Sequence, residues 1–192
     1  MALIIPTPPT ESMQALQHAV ATYPEIRNRT GAINAAQTEG MLPHRVFTVG
    51  LAELVSGDFV TQARFVGWRY LIRQDGGAGV SAEVDVAPTG EHRFAQLNEG
   101  PFVGQTADLI SQMQASDRVQ NGTYELNVLR IPGIYVMALW LRDMNGGEDI
   151  VIPMSPTVET LEPWRQYDAS EISPILAQAA TERLGFDDAP RA

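Results

Sequence analysis

The stretch Arg64–Ala87 reads RFVGWRYLIRQDGGAGVSAEVDVA, and its alternation decides the fold. Trp68, Tyr70 and Ile72 occupy every second position, as do Val80, Ala82 and Val84. A period of two marks strands with one buried face. Between the runs, Gln74-Asp75-Gly76-Gly77-Ala78 supplies turn chemistry and predicts a five-residue loop. If Arg73 faces Gly79, then Trp68, Tyr70 and Ile72 lie opposite Val84, Ala82 and Val80 on one face. Arg69 then meets Glu83 on the other face. A slip of one residue would mix the faces, so the apolar pattern selects this antiparallel register.

Working outward, Arg45–Val55 also reads as a strand, and Phe94–Leu97 as a short one. Asn98-Glu99-Gly100-Pro101 starts a helix, with Pro101 in the first turn, where a missing N–H costs nothing. That helix runs to about Ala115 and buries Phe102 or Val103, Leu109, Ile110 and Met113. Thr123–Arg130 places Tyr124, Leu126 and Val128 on one face, and Pro132-Gly133 turns the chain. Ile134–Arg142 (IYVMALWLR) is apolar on both faces, which marks a central strand. Glu148–Met154 returns it after a second five-residue loop. Setting Trp140 opposite Ile150 places Arg142 opposite Glu148.

Helices bracket these strands. Thr10 caps a helix from Glu11 with Met13, Leu16, Val20 and Tyr23 on one face; residues 25–37 resume as a second, weakened by Gly31. Residues 153–169 hold Pro153, Pro156 and Pro163 and wrap the surface. Ser173 caps and Pro174 opens a last helix, which Gly185 terminates. The expectation is an α+β fold: a mainly antiparallel sheet of six or seven strands, with N-terminal, middle and C-terminal helices packed on it. Residues 1–9 form an extended lead, 10–154 the core domain, and 155–192 a wrap, helix and tail of the same domain.

Composition narrows the chemistry. Among 192 residues there are 13 arginines, no lysine and no cysteine. That removes Schiff-base lysines, phosphate-loop lysines, thiol nucleophiles and thiolate metal ligands. The arginine-only basic set, with many Ala and Gly, points to a GC-rich, bacterial source. A net charge of −10 opposes nucleic-acid and anionic-membrane binding. From Glu148 to Ala192, nine acids face three arginines. No apolar run is long enough to span a bilayer, and MALIIPTPP lacks the basic start of an export signal, so a soluble, cytoplasmic protein is expected.

The site candidates follow from side-chain chemistry. Glu83 and Asp85 project from one strand face, a pattern that serves acid–base or glycosidic chemistry when one carboxyl is desolvated. His92 in the next turn and Glu99 at the helix start complete a possible catalytic set. An Arg69–Glu83 ion pair on a polar face competes with that reading, and Arg142–Glu148 is its counterpart in the second hairpin. The histidines His18, His44 and His92 form no ligand motif, and Asp143–Asp149 lacks the distal glutamate of a calcium loop, so no metal and no cofactor are expected. Trp164 lies in Leu161-Glu162-Pro163-Trp164-Arg165 and is either an internal plug or an anchor for a partner, with Arg165 beside it. With no recognisable nucleophile, metal cluster or cofactor fingerprint, the reading leans away from an enzyme. It favours an interaction or assembly protein, with a protein partner or a second copy meeting the acidic C-terminal third. A small carboxylate/histidine hydrolase or isomerase, and a binder of a small apolar ligand, are the alternatives.

Overall fold

Eight strands form one sheet in the order β4-β3-β2-β1-β5-β6-β7-β8. The computed structural model describes residues 3–26, 41–74 and 77–187. In chain order the strands are β1 (Met41–Thr48), β2 (Arg64–Gln74), β3 (Gly77–Val86), β4 (His92–Asn98), β5 (Tyr124–Ile131), β6 (Val136–Asp143), β7 (Ile150–Pro153) and β8 (Tyr167–Asp168). The helices are α1 (Thr10–Thr22), α2 (Leu51–Ser56), α3 (Phe59–Gln62), α4 (Pro101–Ala115), α5 (Asp117–Asn121) and α6 (Ala169–Asp187).

The β2–β3 register is the one the apolar pattern selects. Trp68 pairs with Val84, Tyr70 with Ala82, Ile72 with Val80 and Arg69 with Glu83. The ladder continues to Gln74 opposite Gly77, so the expected five-residue loop is too long. Its Asp75 and Gly76 lie outside the described residues. Gly67 is required here, because a Cβ on it would meet the Val84 carbonyl oxygen at 2.4 Å.

The sheet is mainly antiparallel, as expected, but it has eight strands against the six or seven expected, and one parallel pair makes it mixed. β1 pairs with β5 in parallel, Arg45–Thr48 alongside Asn127–Arg130. Successive strands are joined too tightly for a parallel crossover, but all of β2 through α5 lies between β1 and β5 and serves as one. Near the start of β5, Ile4 adds a parallel bridge to Glu125, with Ile4 N–H donating to Tyr124 O and Leu126 N–H to Ile4 O. The N-terminal lead is therefore extended and bound to the sheet.

Directly paired residues share a face, so Trp68, Arg45, Asn127 and Trp140 define one side. Over its β2–β4 half lies α1, whose Leu16, Ala19 and Val20 pack on Trp68, Tyr70, Ile72, Val80 and Val84. Over its other half lie α2, α3 and α6, with Leu54, Phe59, Ile172 and Leu176 packed on Phe47, Leu129, Trp140 and Val151. The opposite side carries α4, whose Val103, Leu109, Ile110 and Met113 cover Leu71, Leu126, Val128, Leu139 and Leu141. Burying each such side chain contributes about 1.5–3 kcal/mol.

Local details depart from the sequence reading for physical reasons. Residues 51–55 are helical, not strand, because β1 ends at Thr48 and the Leu51/Leu54 spacing turns Leu54 into the core. On α1, Ser12 and Ala19 are buried while Tyr23 is exposed, and Pro9, not Thr10, holds the N-cap position. The proposed helix over 25–37 falls mostly outside the described residues. α6 starts at Ala169 and holds Pro174 inside it, so Ser173 is no cap. The β6–β7 loop satisfies its first turn: Ala169 N–H donates to Asp149 O, and Ser170 N–H lies 3.4 Å from a Glu148 carboxylate oxygen.

The β6–β7 register also differs. Leu141 pairs with Ile150 and Trp140 with Val151, one residue away from the charge-matched alignment. Arg142 and Glu148 are therefore not cross-strand partners. Asp149 explains the shift: its carboxylate accepts from Trp140 Nε1 at 2.9 Å and from Asp143 N–H at 2.8 Å. Arg142 instead lies over the rings of Trp140 and Phe47.

Candidate functional site

Three places gather the polar and aromatic groups that the sequence singles out. The first is a row across four strands. His44, Arg69, Glu83 and Gln96 are consecutive ladder partners on β1, β2, β3 and β4, on the sheet side that α4 covers. Arg69 Nε donates to Ser81 Oγ at 3.0 Å and lies 3.8 Å from Glu83 Oε1. Glu83 Oε2 accepts from Arg130 Nη1 at 2.9 Å and from Gln96 Nε2 at 3.2 Å. The Arg69 and Glu83 side chains are only 2% and 5% exposed. What reads in the sequence as a solvated ion pair is thus an almost dry three-charge network, in which two guanidiniums converge on one carboxylate. Arg130 is the member nearest solvent, at 26%.

Burial governs the chemistry of this row. Desolvation lowers the Arg69 pKa to about 10; Glu83 opposes that shift and Arg130 adds to it. His44 has no exposed surface. Desolvation, with the Arg69 charge second, lowers its pKa to about 3, so it is neutral in the fold at ordinary pH. Its Nδ1 donates to Leu42 O at 3.1 Å, and its Nε2 has no partner.

The second place is a groove between α1 and β4, about 880 Å³ in volume. It brings together His18 from α1 and His92 from β4, with Glu11, Glu25, Glu91 and Tyr23 around them. The His92 Nδ1 is buried without a partner. Hydrogen bonds of 2.8 and 2.7 Å from Arg93 hold the Glu91 carboxyl below its usual range. This groove lies on the α1 side of the sheet, opposite Glu83. The four catalytic candidates are therefore dispersed: Glu83 in the dry row, Asp85 exposed farther along the same face, His92 in the groove, and Glu99 exposed before α4.

The third place is the proline-rich wrap. Arg165 N–H approaches Glu162 O at 3.4 Å, closing a turn with Pro163 and Trp164 at its centre. Trp164 has φ 70°, the left-handed region that turns of this kind reserve for glycine or asparagine. Its N–H donates to Pro153 O at 2.8 Å, and 37% of its surface faces solvent. Tyr135, at the β5–β6 turn, has φ 54° and is 81% exposed. Among the described residues, these two aromatics are the non-glycine positions with positive φ. Arg165 is engaged internally, stacked 4.4 Å over the Tyr167 ring and paired with Glu171.

Sequence reasoning missed Asp149 and the burial of Arg69 and Glu83. An aspartate directly before the apolar run Ile150-Val151-Ile152 was the available signal for the first. Ser81 and Leu71, the small and apolar neighbours of the row, were the signal for the second. Among the described residues no group of three or more His, Asp or Glu side chains is placed to hold a metal, and no helix is long and apolar enough to cross a membrane. Comparison of the chain with protein-family models, with curated proteins and with solved structures finds no match.

Proposed function

We propose that this chain is a non-catalytic interaction protein whose contact surface is the wrap around Trp164, within the acidic C-terminal third. The observation that carries the reading is Trp164 itself. A bulky residue at positive φ costs about 1–2 kcal/mol relative to glycine, and 37% of Trp164 stays exposed. An aromatic that is strained, rigidly placed and more than one-third exposed is well suited to anchor a partner. Tyr135 repeats the combination at the same end of the sheet: it precedes β6, and the Pro153 that holds Trp164 pairs with Ala138 of that strand. The dispersal of Glu83, Asp85, His92 and Glu99 favours this reading over a catalytic set built from those four residues.

A truncation removing 155–192 would not test this, because Leu161, Tyr167, Ile172, Leu176 and Ala180 complete the core. The test is Trp164→Ala in the full chain, compared with wild type for sedimentation and for its stable co-purifying partners. Loss of self-association or of a partner, with an unchanged circular dichroism spectrum, supports the reading. An identical assembly state and partner set would exclude this surface.

A second reading rests on the α1–β4 groove, which unites His18 and His92 and suits a small ligand in volume. It gives the hydrolase, isomerase or apolar-binder alternatives a place. His92→Ala should abolish any turnover or small-molecule binding found there, while leaving assembly untouched.

A further inference from the structure

We infer that the Trp164 surface receives a cationic segment of a partner protein, one presenting arginine or lysine side chains to the indole. The inference rests on the interaction reading above and adds the partner's chemistry.

Three observations combine. First, the wrap carries two exposed carboxylates, Glu159 and Glu162, and neither has a cationic partner among the described residues. Second, Arg165, the cation of that segment, is paired with Glu171, not with Glu159 or Glu162, and is stacked on Tyr167. Third, Trp164 sits between Glu162 and Arg165 in one tight turn, with its backbone pinned to Pro153 and its ring partly open. A guanidinium or ammonium over an indole face is attracted by the ring quadrupole, more strongly as the pair is desolvated. Flanking carboxylates add charge attraction and hydrogen-bond acceptors.

The fold already uses this contact internally. Arg45 lies 5.5 Å over Trp68, and Arg142 lies 5.1 Å over Trp140. Trp68 and Trp140 are thus the two tryptophans with a guanidinium on them, whereas Trp164, 37% exposed, carries none among the described residues. Nucleic acid is disfavoured as the occupant because the surface is acidic and the whole chain carries −10. An apolar peptide would leave Glu159 and Glu162 unanswered.

The experiment titrates the full chain into a fluorescein-labelled octa-arginine peptide, with octa-citrulline as the uncharged control, and reads polarisation. Wild type should bind octa-arginine at least about tenfold tighter than octa-citrulline, more weakly at higher salt. Trp164→Ala, and separately Glu159→Gln with Glu162→Gln, should each weaken binding about tenfold. Asp108→Asn with Asp117→Asn removes the same net charge at exposed positions elsewhere and should leave affinity unchanged. Equal weakening by both carboxylate pairs means that octa-arginine reads only net charge, and it overturns the inference, as does undiminished binding by Trp164→Ala. If Trp164→Ala loses its native assembly but octa-arginine neither binds at the wrap nor competes with that assembly, the surface stands and the cationic partner falls.

Discussion

Acid should strip stability from this fold through one buried imidazole, and the size of the loss follows from His44. Its pKa is 6.5 in an unfolded chain and about 3 in the native one. Above pH 6.5 both states hold it neutral, and it contributes nothing to pH dependence. Below 6.5 the unfolded chain takes a proton that the native chain refuses, so unfolding gains free energy. The loss grows by about 1.4 kcal/mol per pH unit and levels off only near pH 3. Between pH 7 and pH 4.5 it comes to about 2.5 kcal/mol, a large share of the stability of an ordinary domain. The perturbation that isolates it is His44→Asn, whose amide N–H can replace the Nδ1 donor to Leu42 O. The variant leaves a small void and is less stable at every pH, but it cannot titrate. Urea unfolding at several pH values between 7 and 4.5 should show wild type losing about 2.5 kcal/mol more than the variant across that range. Carboxylate titrations affect both proteins and cancel in the difference. Parallel curves would refute the reasoning, because they would require His44 to be as protonatable in the fold as in the open chain.

Two further expectations concern the same sheet. Glu83→Gln leaves Arg69 and Arg130 converging on a neutral amide, and should cost about 3–5 kcal/mol, whereas Glu148→Gln on the exposed loop should stay within about 0.5 kcal/mol. A pair of thermal melts decides it, and similar melting temperatures would show that the row is not electrostatically coupled. Gly67→Ala drives a methyl group into the Val84 carbonyl and should destabilise the β2–β3 ladder by about 1–3 kcal/mol. Hydrogen exchange of the Trp68–Ile72 amides should quicken in that variant, and unchanged protection would show that the strands can separate at no cost.

What could be read from the sequence depended on whether an apolar pattern had a phase. In Trp68–Ile72 and Val80–Val84 it did, so register and the Arg69–Glu83 pairing followed from residue type alone. In Ile150-Val151-Ile152 it did not, because both faces are buried. Charge matching between Arg142 and Glu148 then favoured the wrong alignment, while Asp149 fixed the real one through two hydrogen bonds. The start of α6 was hidden for a related reason. Ser173-Pro174 has the local form of a helix start, but the groups that satisfy the true start at Ala169 come from the distant β6–β7 loop. At the candidate sites, the exposure of Trp164 was undecidable from composition. Its left-handed backbone completes a turn whose Pro163 is visible in the sequence, but the bond to Pro153 that holds it leaves no trace in side-chain type.

The parallel seam between β1 and β5 also bears on how the chain is made. β1 to β4 form one antiparallel run and β5 to β8 another, and a short ladder at Arg45–Thr48 welds them, with Ile4 extending the line. On a ribosome, the first run is complete while β5 is still unmade. During that interval β1 presents an open row of backbone donors and acceptors, flanked by Val46, Phe47 and Val49 that will later be buried. An unpaired apolar edge is a template for another nascent chain. The interval between synthesis of β1 and arrival of β5 is therefore the window in which this protein is most exposed to misassembly, and faster delivery of residues 123–131 shortens it.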